Sequence, residues 1–99
     1  MIRNGMRPIH PGEVLREDFL LPLGLSANAL AKALNVPAPR VNDIVRERRG
    51  VSADTALRLA RYFDSTPQFW LNLQAAYDLR LAELAAGKTI TREVMPRAA

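Results

Sequence analysis

Cysteine is absent from this 99-residue chain, and histidine occurs once, as His10. Without a thiol there is no disulfide and no thiolate metal site, and a single imidazole cannot hold a metal ion alone. Nor is there a run of roughly 18 uninterrupted apolar residues, the length a membrane helix needs, or the apolar core of an N-terminal secretory signal. These absences exclude a disulfide-stapled scaffold and predict a cytoplasmic protein with no membrane association. Catalytic groups are equally sparse. Glu13, Glu17 and Asp18 share one helical stretch with no nucleophile, histidine partner or ligand set nearby, so they read as solvated helix charges. No enzyme activity, cofactor or metal is expected.

What the chain does have is apolar periodicity and a basic excess. Its length and 48% hydrophobic content supply one core and fall short of two. The formal charge is +4 with a pI near 10.3, a balance that suits a polyanionic partner without requiring one. Residues 1–50 carry 8 basic and 5 acidic side chains, against 6 and 5 in residues 51–99, so the excess sits in the first half.

Residues 1–9 mix Arg3, Asn4, Gly5, Arg7 and Pro8 without periodicity and read as an extended arm. A helical domain over residues 10–86 follows. Pro11 suits a first helical turn, and Val14, Leu15, Phe19 and Leu20 recur at helical spacing until Pro22 and Gly24 end the helix. Ser26 caps a second helix, whose Ala27, Leu30, Ala31 and Leu34 form a narrow stripe before Asn35 stops it. In VPAPRVNDIVRERRG, residues 36–50, the prolines read as a turn and a start signal, with Pro39 at the first helical position and a third helix over Arg40–Glu47. Val41, Ile44 and Val45 fall within about 100° of one another on it. Ser52 caps a fourth helix, ADTALRLARYF, and Pro67 opens a long fifth one that ends near Gly87.

That fifth helix has two apolar faces. Trp70, Leu73, Tyr77, Leu81 and Leu84 share one, while Leu71, Ala75, Leu79 and Ala82 lie roughly 130° away. One face covers the domain's own core. The other is expected to meet a second copy, unless the helix is buried on both sides within the monomer. In the tail over residues 87–99, Thr89–Met95 alternates loosely around Ile90 and Val94, which allows either a short strand that pairs with the same mate or a disordered segment. Leu71, Ala75, Leu79, Ala82, Ile90 and Val94 are thus the expected homodimer interface.

Two short helices joined by a turn of about three residues, with small Ala31 in the first and buried Val41 and Ile44 in the second, match a helix-turn-helix. The third helix then faces outward, as a reader of the DNA major groove does. Arg40 can offer a planar fork to guanine or to a phosphate, Asn42 can pair with an adenine edge or merely solvate the helix, and Asp43 can accept from cytosine N4 but would repel a phosphate. Ala38 and Pro39 suit a thymine methyl. Arg46, Arg48 and Arg49 come later and suit backbone phosphates, as do Ser26, Asn28 and the free N–H groups of the second helix's start. The alternatives are a solvated basic face on a helical protein-interaction module, or a solitary regulator.

HPGEVLREDFLLPLGLS, NALAKALNVP, SADTALRLARYF and TPQFWLNLQAAYDL together resemble the HigA/VapI-type antitoxin family, within the lambda-repressor-like helix-turn-helix class. The likeness covers roughly residues 9–82. It implies an all-α, five-helix domain that dimerises on palindromic operator DNA, represses its own operon from a nucleoid-associated position in a prokaryotic cytoplasm, and silences a small RelE-like mRNA-cleaving toxin. Two departures stand out. Relatives look like Asn-Gly where this chain has Arg46-Glu47, and like Gly where it has Asp64. The first departure predicts a third helix longer by a turn.

Overall fold

The computed structural model describes residues 7–98. Within them five helices follow one another: α1 runs through Pro11–Val14, Leu15–Leu20 and Leu21–Leu23, α2 is Ala27–Leu34, α3 is Ala38–Val45, α4 is Ala53–Phe63 and α5 is Pro67–Glu93. Of the arm expected over residues 1–9, residues 1–6 lie outside the described part. Residues 7–9 are non-helical, and Arg7 is tied to Glu13 by two parallel hydrogen bonds of 2.9 and 2.7 Å.

The helix starts obey their capping residues. Ser26 Oγ accepts from Ala29 N–H, Ser52 Oγ from Thr55 N–H and Thr66 Oγ1 from Phe69 N–H, so each satisfies one donor that the helix cannot. His10 caps α1 in the same way, its Nδ1 accepting from Gly12 N–H at 2.8 Å. The middle of α1 is π-helical, with Leu21 N–H reaching back five residues to the Arg16 carbonyl. The wider turn makes room for the Pro22 ring, which in a tight helix clashes with the preceding carbonyls. Pro22 therefore lies inside α1, and Gly24 alone ends it.

Four helices end with one device. Gly24, Asn35, Glu47 and Asp64 all take left-handed backbone, at φ of 62°, 58°, 62° and 53°. After each, the next N–H bonds back across the last turn: Leu25 to Leu20, Val36 to Ala31, Arg48 to Asp43 and Ser65 to Ala60. This geometry corrects the length expected of the third helix. It begins two residues earlier, at Ala38, with Pro39 in the second position, and it stops at Val45 instead of extending through Glu47. The chain reverses at Glu47 although no glycine is there.

Trp70, Leu15, Leu30, Ala31, Val41, Ile44, Ala56 and Leu59 fill the core. Phe19 packs against Phe63 and Trp70 at centroid distances of 4.8 and 5.0 Å, joining α1, α4 and α5. The Trp70 indole N–H donates to Ser65 Oγ at 3.2 Å, so its polar edge is also satisfied.

The expected C-terminal strand is not there. α5 continues through Gly87 to Glu93. A lone strand would leave its hydrogen-bonding groups unpaired, whereas the helix satisfies its own, and Thr91 Oγ1 adds a bond to the Gly87 carbonyl at 2.9 Å. One interior glycine costs the helix only about 1 kcal/mol. Burial of α5 on two sides within the monomer is also ruled out, because Leu79, Leu81 and Leu84 are 61, 42 and 59% exposed. No helix among the described residues is long and apolar enough to cross a membrane.

Left-handed backbone costs a non-glycine residue about 1–2 kcal/mol, while glycine gives back roughly 0.5–1 kcal/mol in unfolded-state freedom. Glu47→Gly is therefore expected to stabilise the fold by about 0.5–1 kcal/mol and Asp64→Gly by less, since aspartate tolerates this region better. Thermal denaturation followed by circular dichroism checks this. A lower midpoint for Glu47→Gly would show that the exposed Glu47–Arg16 pair outweighs backbone strain.

Candidate nucleic-acid interface

The pair α2–α3 has the geometry of a helix-turn-helix, and the remaining helices hold α3 in place. Its inner side is Val41 and Ile44, both almost fully buried. From below, Gly12 at the start of α1 lies so close that a Cβ there would be 1.8 Å from the Ile44 carbonyl oxygen, so only glycine fits. At the C-terminal end, the Arg16 guanidinium donates to the Val45 carbonyl and pairs with Glu47 at 3.4 Å, placing positive charge where the helix dipole is negative. The loop that follows is held from α5, where Gln74 Oε1 accepts from Val51 N–H at 2.7 Å.

The flanks are tied as well. Asn42 spends both amide N–H donors inside the molecule, on Asn28 Oδ1 at 2.7 Å and the Ala38 carbonyl at 3.0 Å. This links α2 to α3 and leaves Asn42 only its oxygen, so pairing with an adenine edge, one of the two roles open to it, needs a rearrangement. Arg40 Nη1 donates to Asp54 Oδ2 at 2.6 Å, and Arg58 Nε donates to the same oxygen at 2.9 Å. The hydrogen bonds from Arg58 and then from Arg40 hold the Asp54 carboxyl below its ordinary pKa.

With Val41 and Ile44 inward, helical geometry turns Pro39, Asp43 and the adjoining Arg46 outward, with Arg40 on the edge toward α4 and Asn42 on the edge toward α2. Asp43 has Arg49 at 3.7 Å. Arg46 and Arg48 are exposed and have no ion pair or side-chain hydrogen bond among the described residues. Ser26 and Asn28 are exposed at the start of α2, while Ala38 is half-buried at the turn. The ten expected contact residues thus lie along α2, the turn, α3 and the loop just after it, with Asn28 joined to Asn42 and Asp43 to Arg49. Arg16, Asp54 and Arg58 were not expected there. Asp54 and Arg58 pair at helical spacing, but their links to Arg40 and to the Leu34 carbonyl, and that of Arg16 to Glu47, span 14 to 31 positions, a distance over which helical spacing carries no signal.

The expected second-copy residues gather elsewhere. Leu71, Ala75, Leu79, Ala82 and Ile90 run along one side of α5, and all but the half-buried Leu71 are exposed. Val94 follows directly after the helix end.

A short helix pair with its second helix pinned inward and its basic rim outward defines a helix-turn-helix protein. A helix-turn-helix family model matches residues 15–70, more than half of the chain. Virulence-associated protein I of Dichelobacter nodosus is 64% identical over 81 residues, covering 82% of this chain and 75% of that one. Among solved structures, Pseudomonas aeruginosa antitoxin HigA with the higBA promoter superposes at a TM-score of 0.90, with 59% identity over 93% of this chain and 100% of that one. The antitoxin GraA in complex with its operator gives 0.91 and 58% identity over the whole of both chains. The chain belongs to the HigA/VapI-type antitoxin family, a DNA-binding and non-enzymatic branch of the helix-turn-helix class.

The His10 cap at the start of α1 leads us to expect a pH-dependent stability. Burial pushes its imidazole pKa down, because the charged form would lose hydration, and its Nδ1 acts as an acceptor only when neutral. A base with a lowered folded pKa gives its full stability above the unfolded value of 6.5 and loses it as pH falls from there toward the folded value. Wild-type stability is expected to decline through that acid window, while His10→Asn, which caps without titrating, loses less. Urea denaturation at a series of pH values compares them; parallel curves would remove His10 from the linkage.

Proposed function

We propose that this chain is the antitoxin of a toxin–antitoxin pair: as a homodimer it binds operator DNA, represses its own operon in the cytoplasm, and neutralises a small RelE-like mRNA-cleaving toxin. The observation that carries the DNA reading is the rim itself. A helix fixed on its inner side and at its end, with an outward face and two unpaired arginines just beyond it, can enter a major groove as a rigid body. The relatives solved with a promoter and with an operator support it further.

In this reading Pro39, Ala38 and Asp43 meet base edges, and Arg40 offers guanine its free Nε and Nη2. Arg46, Arg48 and Arg49 lie over phosphates, and the start of α2 at Ser26 and Asn28 binds another. Asn42 holds α2 against α3. The exposed stripe of α5, with Leu71, Ala75, Leu79, Ala82, Ile90 and Val94, meets the same stripe of a second copy. Two-fold symmetry then sets half-sites about one helical turn apart, or a multiple of it.

Titration of the duplex upstream of the chain's own gene, over a salt series, tests the DNA reading. Affinity should fall steeply with salt, with a slope of about 0.9 per phosphate contacted. Arg40→Ala should lose about 1–3 kcal/mol of discrimination between that duplex and a shuffled one. Arg48→Ala should weaken both alike; if the two variants behave the same, the division between base and phosphate contacts is wrong.

Leu79→Glu places a charge in the centre of the α5 stripe and should give a monomer by light scattering, with weakened operator binding. A dimer of unchanged strength would place the interface elsewhere. Co-purification with the product of the adjacent gene, and loss of that product's ribonuclease activity on mixing, tests the toxin partnership.

A further inference from the structure

Arg40 is one end of a connected series of charged groups. Its Nη1 donates to Asp54 Oδ2 at 2.6 Å, that oxygen accepts from Arg58 Nε at 2.9 Å, and Arg58 Nη1 donates to the Leu34 carbonyl at 2.9 Å. The series runs from α3 through the first turn of α4 to the C-terminal end of α2, so it spans both helices of the helix-turn-helix. Arg58 is its fixed end, since a cation on the last carbonyls of α2 is favoured by the helix dipole. Asp54 is favoured in turn by its place at the start of α4.

Two consequences follow for Arg40. Its guanidinium is planar, and with Nη1 taken by Asp54 the orientation of the remaining Nε and Nη2 edge is set before any ligand arrives. The carboxylate beside it also distinguishes between ligands. A phosphate that approaches Arg40 meets the charge of Asp54 at close range, whereas the O6 and N7 acceptors of guanine are neutral and meet no such repulsion.

We propose that Asp54 is a positioning residue for sequence specificity: it fixes the Arg40 guanidinium and reserves its free edge for neutral base acceptors over backbone phosphate. This rests on the reading that α3 enters the groove and that Arg40 meets a base. Discrimination here comes from an element that penalises the wrong ligand as well as one that attracts the right one.

The test uses Asp54→Asn, which removes the charge and keeps the size. Residue 54 is exposed, and α4 is capped by Ser52 through Thr55 N–H, so the variant should fold; its thermal midpoint is measured alongside. Binding to the upstream duplex and to a shuffled duplex of equal composition is measured over a salt series. Asp54→Asn should tighten binding to the shuffled duplex and lower the ratio of the two affinities at least about fivefold, the lower end of what one base contact contributes. The salt slope on shuffled DNA should steepen by about 0.9 for each Arg40 that now takes a phosphate. Asp54→Glu, which keeps the charge, should restore much of the ratio, and in an Arg40→Ala background Asp54→Asn should leave the ratio unmoved. An unchanged or improved ratio in Asp54→Asn overturns the proposal. So does an equal loss in the Arg40→Ala background, which would make Asp54 a general repulsive charge. If Arg40→Ala alone leaves the ratio intact, the base contact and this inference fall together while DNA binding stands. If the wild type shows no salt-dependent binding at all, it is the proposed function that fails.

Discussion

The contact between α1 and the backbone of α3 limits everything else in the molecule. Gly12 sits where a Cβ would be 1.8 Å from the Ile44 carbonyl, so the start of one helix rests directly on the main chain of another. The approach brings the His10 cap, buried against the Tyr77 ring, and the Arg16 guanidinium into the positions they occupy. Arg16 can reach the Val45 carbonyl only because α1 passes beneath the end of α3, and that carbonyl is one that a stopped helix cannot satisfy from within. The abrupt end of α3, its fixed orientation and the loop beyond it therefore share one cause.

Charge is distributed in the same spirit. Arg7, Arg16, Arg40, Arg49 and Arg58 are each within ion-pair distance of an acidic partner, and these pairs are exposed enough to contribute little to stability. Their effect is geometric. They hold the arm, the end of α3 and the start of α4 in register, and they leave Arg46 and Arg48 as cations not committed internally among the described residues. The net charge of +4 thus describes the surface poorly. What matters for a polyanion is which guanidinium groups are already spoken for.

The sequence is most legible where local chemistry has one solution. Ser26, Ser52 and Pro67 mark helix starts because each relieves a specific unsatisfied donor or fixes a specific dihedral, and Val41 and Ile44 are inward because, with the half-buried Val45, they form the branched apolar stripe of α3. It is least legible where two local solutions compete. Thr89, Ile90 and Thr91 favour a strand by propensity, yet they follow a helix already long enough to propagate, and extending a helix requires no partner. Glu47 gives no sign in sequence of left-handed backbone; only the series of ends at Gly24, Asn35, Glu47 and Asp64 shows that it fills a place where glycine would be ordinary. The residues proposed to contact DNA are legible as types, while their internal partners are not. Arg40 and Asp54 lie 14 residues apart on two different helices and meet only in the folded chain, which no periodicity encodes.

The length of α5 makes the last connection. Its first turns are core, with Trp70 completely buried, but beyond Tyr77 the helix projects past the domain, and the molecule is 52 Å long against 24 and 23 Å across. A solvated helix of this kind is marginal by itself, so the projection depends on propagation from the buried turns and, in the proposed dimer, on the matching stripe of a second copy. Because core and stripe belong to one continuous helix, the packing of Trp70 fixes the direction in which Leu79 and Ile90 point. A symmetric pairing through that stripe would then fix the separation of the two α3 helices, which is the quantity an operator with evenly spaced half-sites measures. The same residues that complete the core of one domain would thereby set the spacing that two domains read.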